Sequence, residues 1–289
     1  MLRALIKTMR PRQWTKNGFI FFGLIFDKQL FLIQPFLRTL AGFFLFCLIS
    51  SAVYLFNDIA DVEADRSHPE KKFRPVASGK LPVSVAMTTA LLLTAVAIPL
   101  GYLLSPIFAL ILTLYLVINL LYSRWLKHVP ILDVLIISSG FVLRVGAGVA
   151  LITVERFSPW LYMITILFSL YIGFGKRRAE MNLLAHGASA HRKVFEGYTI
   201  PLLDQYITIV SGMTIVAYSL YTFSAPNLPA NHTMMLTIPF VVYGIFRYLQ
   251  LIQTGHAAGA PDEVALKDRP LQVTVLLWGL AVIAVFYLS

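Results

Sequence analysis

The chain has 289 residues, 58% of them hydrophobic and only 13% charged. Soluble domains average about 25% charged residues, and no water-exposed fold of this size hides so much apolar side chain, so composition excludes a soluble protein and gives a polytopic membrane one. Lys plus Arg number 24 against 14 Asp plus Glu, a net charge of +10; in a membrane chain that excess belongs first to the inner loops, and nucleic-acid binding has no support beyond it.

Residues 1–16 are basic and amphipathic, with no apolar stretch leading to a small-residue cleavage site, so no signal peptide is expected. About 20 apolar residues cross a bilayer core, and charge-free runs locate the spans. A short first span is expected over 17–32, weakened by Asp27 and Lys28, and a second over 39–57. The run 81–123 is long enough for two spans and breaks at Ser105-Pro106. Residues 134–154 form another, interrupted by Arg144 alone, and 157–175 the next. The run 205–246 again holds two, broken between Ser224 and His232, and 270–289 closes the chain. The total is nine spans in an all-α integral membrane protein, with a single polytopic domain over 1–289.

With the N-terminus inside, the segments 1–17, 60–84, 122–130, 176–202 and 247–270 hold 20 of the Lys and Arg residues, and the outer side only Lys28, Arg38 and Arg156. That asymmetry sets the orientation and puts any chemistry on the cytoplasmic face of the inner membrane. The loops 60–84, 122–130, 176–202 and 255–270 are expected to cap the site.

The strongest local signal is Asn57-Asp58-Ile59-Ala60-Asp61-Val62-Glu63-Ala64-Asp65-Arg66. Spacings of three and seven put Asp58, Asp61 and Asp65 on one helical face at the end of the second span. Stacked carboxylates repel one another unless a cation lies among them, and an oxygen-only set suits Mg²⁺, which keeps waters and bridges to phosphate oxygens. The bland alternative is a solvated helix end, which clustered charge at a membrane edge disfavours. Directly downstream, Arg66, Lys71, Lys72, Arg74 and Lys80 form a basic loop, with Arg66 and Arg74 (before the turn-setting Pro75) the better candidates for phosphate oxygens. For any one of these cations, ordinary inside-positive bias is an equal reading.

A second inner span end reads Gly175-Lys176-Arg177-Arg178-Ala179-Glu180. Three cations stand where a symmetric enzyme would repeat its carboxylates, which suits an anion held directly; the alternative is a basic flank that stops translocation. Tyr122 and Lys127 end a third inner span, with Lys127 in reach of a phosphate, and Trp14 with Arg10, Arg12, Lys16 and Asn17 reads as an interfacial anchor, Lys16 being also a candidate to face the site. Asp133 and Arg144, eleven residues apart, share a helical face; an intramembrane arginine is costly, so Arg144 is paired structurally or lines a pocket. The six histidines contain no HExxH, His186 and His191 do not share a face, and the single cysteine, Cys47, excludes an intrachain disulfide and a Cys-rich zinc site.

The motif Asn57-Asp58-x-x-Asp61-x-x-x-Asp65, at the end of the second of nine spans, resembles the first Asp-rich motif of the UbiA superfamily of intramembrane prenyltransferases, and Tyr122 to Lys127 is similar to its Tyr/Lys element. That resemblance implies nine helices around a central cavity open to cytoplasm and lipid, with Mg²⁺ on Asp58, Asp61 and Asp65 holding a diphosphate. The superfamily's second Asp-rich motif is absent, and Lys176-Arg177-Arg178-Ala179-Glu180 replaces it. Together with Arg10-Pro11-Arg12-Gln13-Trp14, Lys16-Asn17, His68-Pro69, Arg74-Pro75, Ser78-Gly79 and Asp268-Arg269-Pro270-Leu271, this is similar to the branch that transfers 5-phosphoribosyl from phosphoribosyl diphosphate (PRPP) to decaprenyl phosphate on the way to the cell-wall arabinose donor. The implied catalytic residues are Asp58, Asp61 and Arg66. The implied substrate contacts are Lys16, Asn57, Arg74, Tyr122, Lys127, Lys176, Arg177 and Arg178. The partners would be PRPP, a polyprenyl phosphate and membrane lipid, with a homo-oligomer compatible and no nucleic acid. Two alternatives stand beside it: isoprenoid transfer to an aromatic acceptor, disfavoured by the missing second Asp motif, and a transporter or lipid carrier, disfavoured because the acids sit at one surface.

Overall fold

In hydrocarbon a backbone must satisfy its own polar groups, so charge-free runs become helices. The computed structural model describes residues 1–154, 159–185, 193–225, 228–254 and 267–288. Among these there is no strand. The helices are α1 (Leu2–Met9), α2 (Phe21–Phe26), α3 (Ile33–Ala60), α4 (Val62–Arg66), α5 (Val83–Leu104), α6 (Pro106–Arg124), α7 (Leu132–Val149), α8 (Pro159–Ala185), α9 (Ile200–Ser224), α10 (Ile238–Gln253) and α11 (Arg269–Leu288).

Seven of the segments are long and apolar enough to cross a membrane: α3, α5, α6, α7, α9, Thr233–Gln253 ending in α10, and α11. The two other expected spans are α8 and the first. Helix α8 has 27 residues and carries Lys176, Arg177, Arg178 and Glu180 in its last part. The first expected span is not one continuous α-helix: a 3-10 run, Pro11–Ile20, leads into the six residues of α2, which end at Asp27, and Lys28 then takes φ 57°. The breaks foreseen inside the long runs are present. Ser105 caps α6 by accepting the Phe108 N–H at 3.4 Å, with Pro106 at the first helical position, where its missing N–H costs nothing. The second break separates α9 at Ser224 from the turn beginning at Thr233.

Two compact units divide the chain. The first takes residues 1–129 and 143–154, so α7 gives it its last turns. Its core joins Ile20, Phe46, Ile49, Val53, Phe108, Leu112, Tyr115 and Leu151, and a second cluster gathers Ala52, Leu55, Val76, Leu81, Ala86 and Ala90. Gly148 permits its closest approach: a Cβ there would stand 1.8 Å from the Ile20 carbonyl oxygen, so only glycine lets α7 lie against the 3-10 run. The second unit takes 130–142 and the described part of 155–289, around Val134, Tyr171, Phe174, Phe195, Tyr198, Leu203, Ile207, Tyr248 and Ile252. Large apolar side chains such as Leu92 and Leu103 of α5 and Leu276 of α11 face outward, which water would not tolerate over so many residues and lipid does.

Candidate active site

The acidic motif straddles a helix break. Helix α3 ends at Ala60, Asp61 leaves the helical region at φ −95° and ψ 7°, and α4 begins at Val62. The hydrogen bonds nevertheless step across the break, from the Asp61 N–H to the Asn57 carbonyl at 3.0 Å and from the Asp65 N–H to the Asp61 carbonyl at 2.8 Å. That continuity keeps Asp58 and Asp65 on one side. A single side chain demonstrates it: Arg74 Nη1 donates to Asp65 Oδ2 at 2.7 Å and to Asp58 Oδ1 at 3.4 Å. Both carboxylates are almost wholly buried, with side chains 3% and 5% exposed.

Two further cations complete the group. Arg10 Nη2 donates to Asp58 Oδ1 at 2.6 Å, and its guanidinium lies over the Tyr54 ring, 4.7 Å from the centroid. Lys127, in the 3-10 turn Leu126–His128 after α6, donates to Asp61 Oδ1 at 2.6 Å. Asp58, Asp61 and Asp65 thus meet Arg10, Arg74 and Lys127, and burial of acids becomes tolerable because each meets a cation. Arg74 is held in place by its own loop. Val76, Ala77 and Leu81 are buried, the Leu81 N–H bonds the Pro75 carbonyl at 2.9 Å, and Gly79 supplies the φ of +73° that closes the turn. His68 Nδ1 accepts the backbone N–H groups of Glu70 and Lys71 at 3.2 and 3.3 Å, and burial, with Lys71 beside it, pulls the imidazole below its ordinary value.

The other residues named from sequence fall in varied places. Arg66 Nη1 pairs with Glu63 at 2.8 Å and its Nε donates to the Ala77 carbonyl at 3.3 Å, so it ties the loop to α4. Lys16 and Tyr122 are half-buried in the same unit. Asn57 carries a buried Oδ1 with no hydrogen-bond partner. An orphaned amide oxygen costs free energy unless a donor or a cation meets it, and amide and carboxylate oxygens are the hard donors that magnesium prefers. Among the described residues no three carboxylate, histidine or cysteine side chains converge into a cage by themselves. An ion here would therefore draw the rest of its shell from water and phosphate, as Mg²⁺ commonly does.

In the second unit, Lys176, Arg177 and Arg178 lie on α8. Arg177 is nearly sealed: Nε donates to Asp133 Oδ2 at 2.5 Å and Nη1 to Glu180 Oε2 at 2.7 Å. Asp133 is fully buried and also accepts from the Tyr198 hydroxyl at 2.7 Å. Tyr198 in turn accepts the Ile131 N–H at 2.6 Å, at a residue with φ +69°. Burial, reinforced by the bond to Asp133, pushes the Tyr198 phenol well up. Two of the Arg177 nitrogens are thus already committed to carboxylates. Arg178 pairs with Asp204 at 2.5 Å in a more open setting, the two side chains 11% and 34% exposed. The loop residues 186–192 and 255–266, including His186, His191 and most of the fourth expected cap segment, lie outside the described residues.

Sequence reasoning grouped Arg10 with the interfacial anchor and gave Asp204 no role. Nothing in residue spacing signals either pairing. Arg144 is paired structurally: Nε donates to Asn17 Oδ1 at 2.8 Å and Nη2 to the Tyr115 hydroxyl at 2.9 Å, with the Phe46 and Tyr115 rings 5.4 and 5.0 Å away. Asp133, on the same helix face by spacing, serves Arg177 instead.

Residues 18–266 match the UbiA prenyltransferase family. A decaprenyl-phosphate phosphoribosyltransferase of Mycolicibacterium smegmatis is 35% identical over 100% of this chain and 94% of its own length. A protein of the same name from Corynebacterium glutamicum is 36% identical over 99% of this chain and 87% of its own. Among solved structures, a UbiA homolog from Archaeoglobus fulgidus bound to DMAPP and Mg²⁺ superposes with a TM-score of 0.73 at 15% identity, covering 99% of this chain and 100% of that one, which shows a shared fold. With its apolar helices and a match spanning most of its length, this multi-pass membrane protein belongs to the UbiA prenyltransferase family.

Proposed function

We propose that this chain transfers 5-phosphoribosyl from PRPP to a polyprenyl phosphate of the decaprenyl type, releasing diphosphate, at the cytoplasmic face of the inner membrane. The product would feed synthesis of the cell-wall arabinose donor. The likeness to two proteins of that name over nearly the whole chain supports the reading. The observation that carries it is the matched group of three carboxylates and three cations around Asp58, Asp61 and Asp65. With a dication on those acids, each of the three cations would be available to a phosphate oxygen.

Asp58 and Asp61, with Asp65 directly or through water and Asn57 Oδ1 beside them in the chain, would hold Mg²⁺, whose chemistry there would be to neutralise charge on the diphosphate at C1. Arg74 and Lys127, with Lys16 and Tyr122, bind that diphosphate and stabilise the charge it carries away. Arg66 keeps the Arg74 loop on α4. Lys176, Arg177 and Arg178 are proposed to take a separate phosphate monoester, either on the sugar or on the acceptor. An oxygen of the acceptor phosphate attacks C1 from the face opposite the leaving group: the C1–O bond to diphosphate breaks, the C1–O bond to the lipid phosphate forms, and the configuration inverts. The acceptor is anionic near neutral pH, so no side chain has to remove a proton.

The test is purified protein with labelled PRPP, Mg²⁺ and a polyprenyl phosphate, followed by extraction. Label enters the organic phase with the wild type, and Asp58→Asn or Asp61→Asn abolishes this in properly inserted protein. Near-normal turnover in those variants sinks the metal assignment. No transfer from PRPP, with consumption of a prenyl diphosphate when an aromatic acceptor is present, replaces this reading with isoprenoid transfer.

A further inference from the structure

Helix α1 presents two apolar edges, and among the described residues one packs on protein while the other is exposed. Ala4, Leu5 and Met9 pack against the cluster of Ala52 and Leu55, on the last turns of α3 before the acidic motif. On the other side Leu2 and Ile6, four residues apart, are 69% and 47% exposed. Beside them Arg3 and Lys7, also four apart, are exposed on the same flank. An exposed apolar edge running along a basic edge is the pattern of a helix lying in a lipid interface, apolar side chains at the acyl boundary and cations among headgroups.

Charge decides which lipid surface fits. Residues 1–26 contain Arg3, Lys7, Arg10, Arg12 and Lys16 and no Asp or Glu. The segment is attached without interruption to the end of a membrane span, through the α1 packing on α3. We propose that α1 seats on the anionic headgroups of the surrounding bilayer, with Leu2 and Ile6 inserted and Arg3 and Lys7 on lipid phosphates, and that this seat steadies the segment that carries Arg10 to Asp58.

The link from helix to site is continuous. Ser51 Oγ donates to the Met9 carbonyl at 3.2 Å and accepts the Trp14 indole N–H at 3.0 Å, pinning both sides of Arg10 to α3. Arg10 itself closes α1 in the left-handed region, φ 53° and ψ 59°, which turns its side chain away from the helix path and onto Asp58. Asn17 donates to Ser50 Oγ and Cys47 Sγ, each at 3.2 Å, fixing the far end of the same stretch. Whatever holds α1 therefore holds residues 9–17 as one strap along α3.

The test uses the full chain in two vesicles, phosphatidylcholine alone and equal parts phosphatidylcholine and phosphatidylglycerol, and reads amide hydrogen exchange over residues 2–9 and 9–17. Wild type exchanges more slowly in the anionic vesicle. A basic side chain near an anionic surface gains about fivefold in binding, so the Arg3→Gln/Lys7→Gln variant loses roughly twenty-five-fold of that protection over 2–9 and exchanges alike in both vesicles. High salt does the same to the wild type, because it shortens the reach of surface charge. Slowing over 2–9 without any change over 9–17 overturns the strap, and equal wild-type exchange in the two vesicles overturns the lipid seat. Exchange does not depend on turnover, so a failure of phosphoribosyl transfer is read separately.

Discussion

Replacing Arg177 with methionine leaves Asp133 as a buried carboxylate that keeps the hydrogen bond from the Tyr198 phenol. In the native protein Asp133 is 0% exposed and the Arg177 side chain 3%, with 2.5 Å between Nε and Oδ2. Removing one partner of such a pair costs about 3–5 kcal/mol, because the surviving charge keeps its desolvation penalty and loses its attraction. The loss is therefore expected to be roughly 3–5 kcal/mol. Thermal unfolding in detergent should show Arg177→Met melting about 10 °C below the wild type at pH 7, using about 2–4 °C per kcal/mol for a chain of this class. The double variant Arg177→Met/Asp133→Asn should recover most of the loss, since no buried charge remains. An Arg177→Met variant that melts within about 1 °C of the wild type at pH 7, or a double variant no better than the single one, refutes the buried-pair account.

Gly148→Ala should destabilise the first unit or displace its 3-10 run, because the new methyl would meet the Ile20 carbonyl at 1.8 Å; a normal melting curve with unchanged activity would contradict that packing. Arg74→Gln should abolish or strongly reduce transfer while Arg66→Gln costs far less, since Arg74 bridges two buried acids and Arg66 meets Glu63 and a backbone carbonyl; comparable rates for the two would reverse their roles. Asp268 is held below the ordinary carboxylate range, first by its hydrogen bonds from Arg247 at 2.7 and 3.3 Å. A depressed value means this tie is fully present above the usual aspartate range and is lost as pH falls through the lowered one; Asp268→Asn should flatten that part of an acid-unfolding profile. For His68, whose value is also lowered, the stabilising neutral form is fully present above about pH 6.5 and lost in more acidic medium, so proteolysis within 66–80 should speed up on acidification and His68→Gln should remove the effect.

Much of the helical layout is legible in one dimension. A bilayer forces each segment to bond its own backbone, so the charge-free runs, the Ser105-Pro106 cap and the break after Ser224 could be read along the chain without knowing any neighbour. The side on which Asp58 and Asp65 lie also follows from helical spacing, since their hydrogen-bond steps survive the interruption at Asp61. The first span is where this reading gave too much: apolar content from 17 to 32 does not reveal that residues 11–20 wind more tightly against α7, a shape set by the glycine contact at 148. Charge partners were beyond it altogether. Arg10, Arg74 and Lys127 reach their acids across 48, 16 and 66 residues, and spacing says which face a side chain occupies but never what stands opposite. Lys176, Arg177 and Arg178 look equivalent as a basic run, yet only Arg177 is turned onto the buried Asp133. Sequence determined where the chain crosses lipid and where its carboxylates gather, because both are local constraints of solvent and helix geometry. Tertiary structure alone decided which cation neutralises which acid, because the energy of a buried charge depends on ångström distances between helices far apart in the chain.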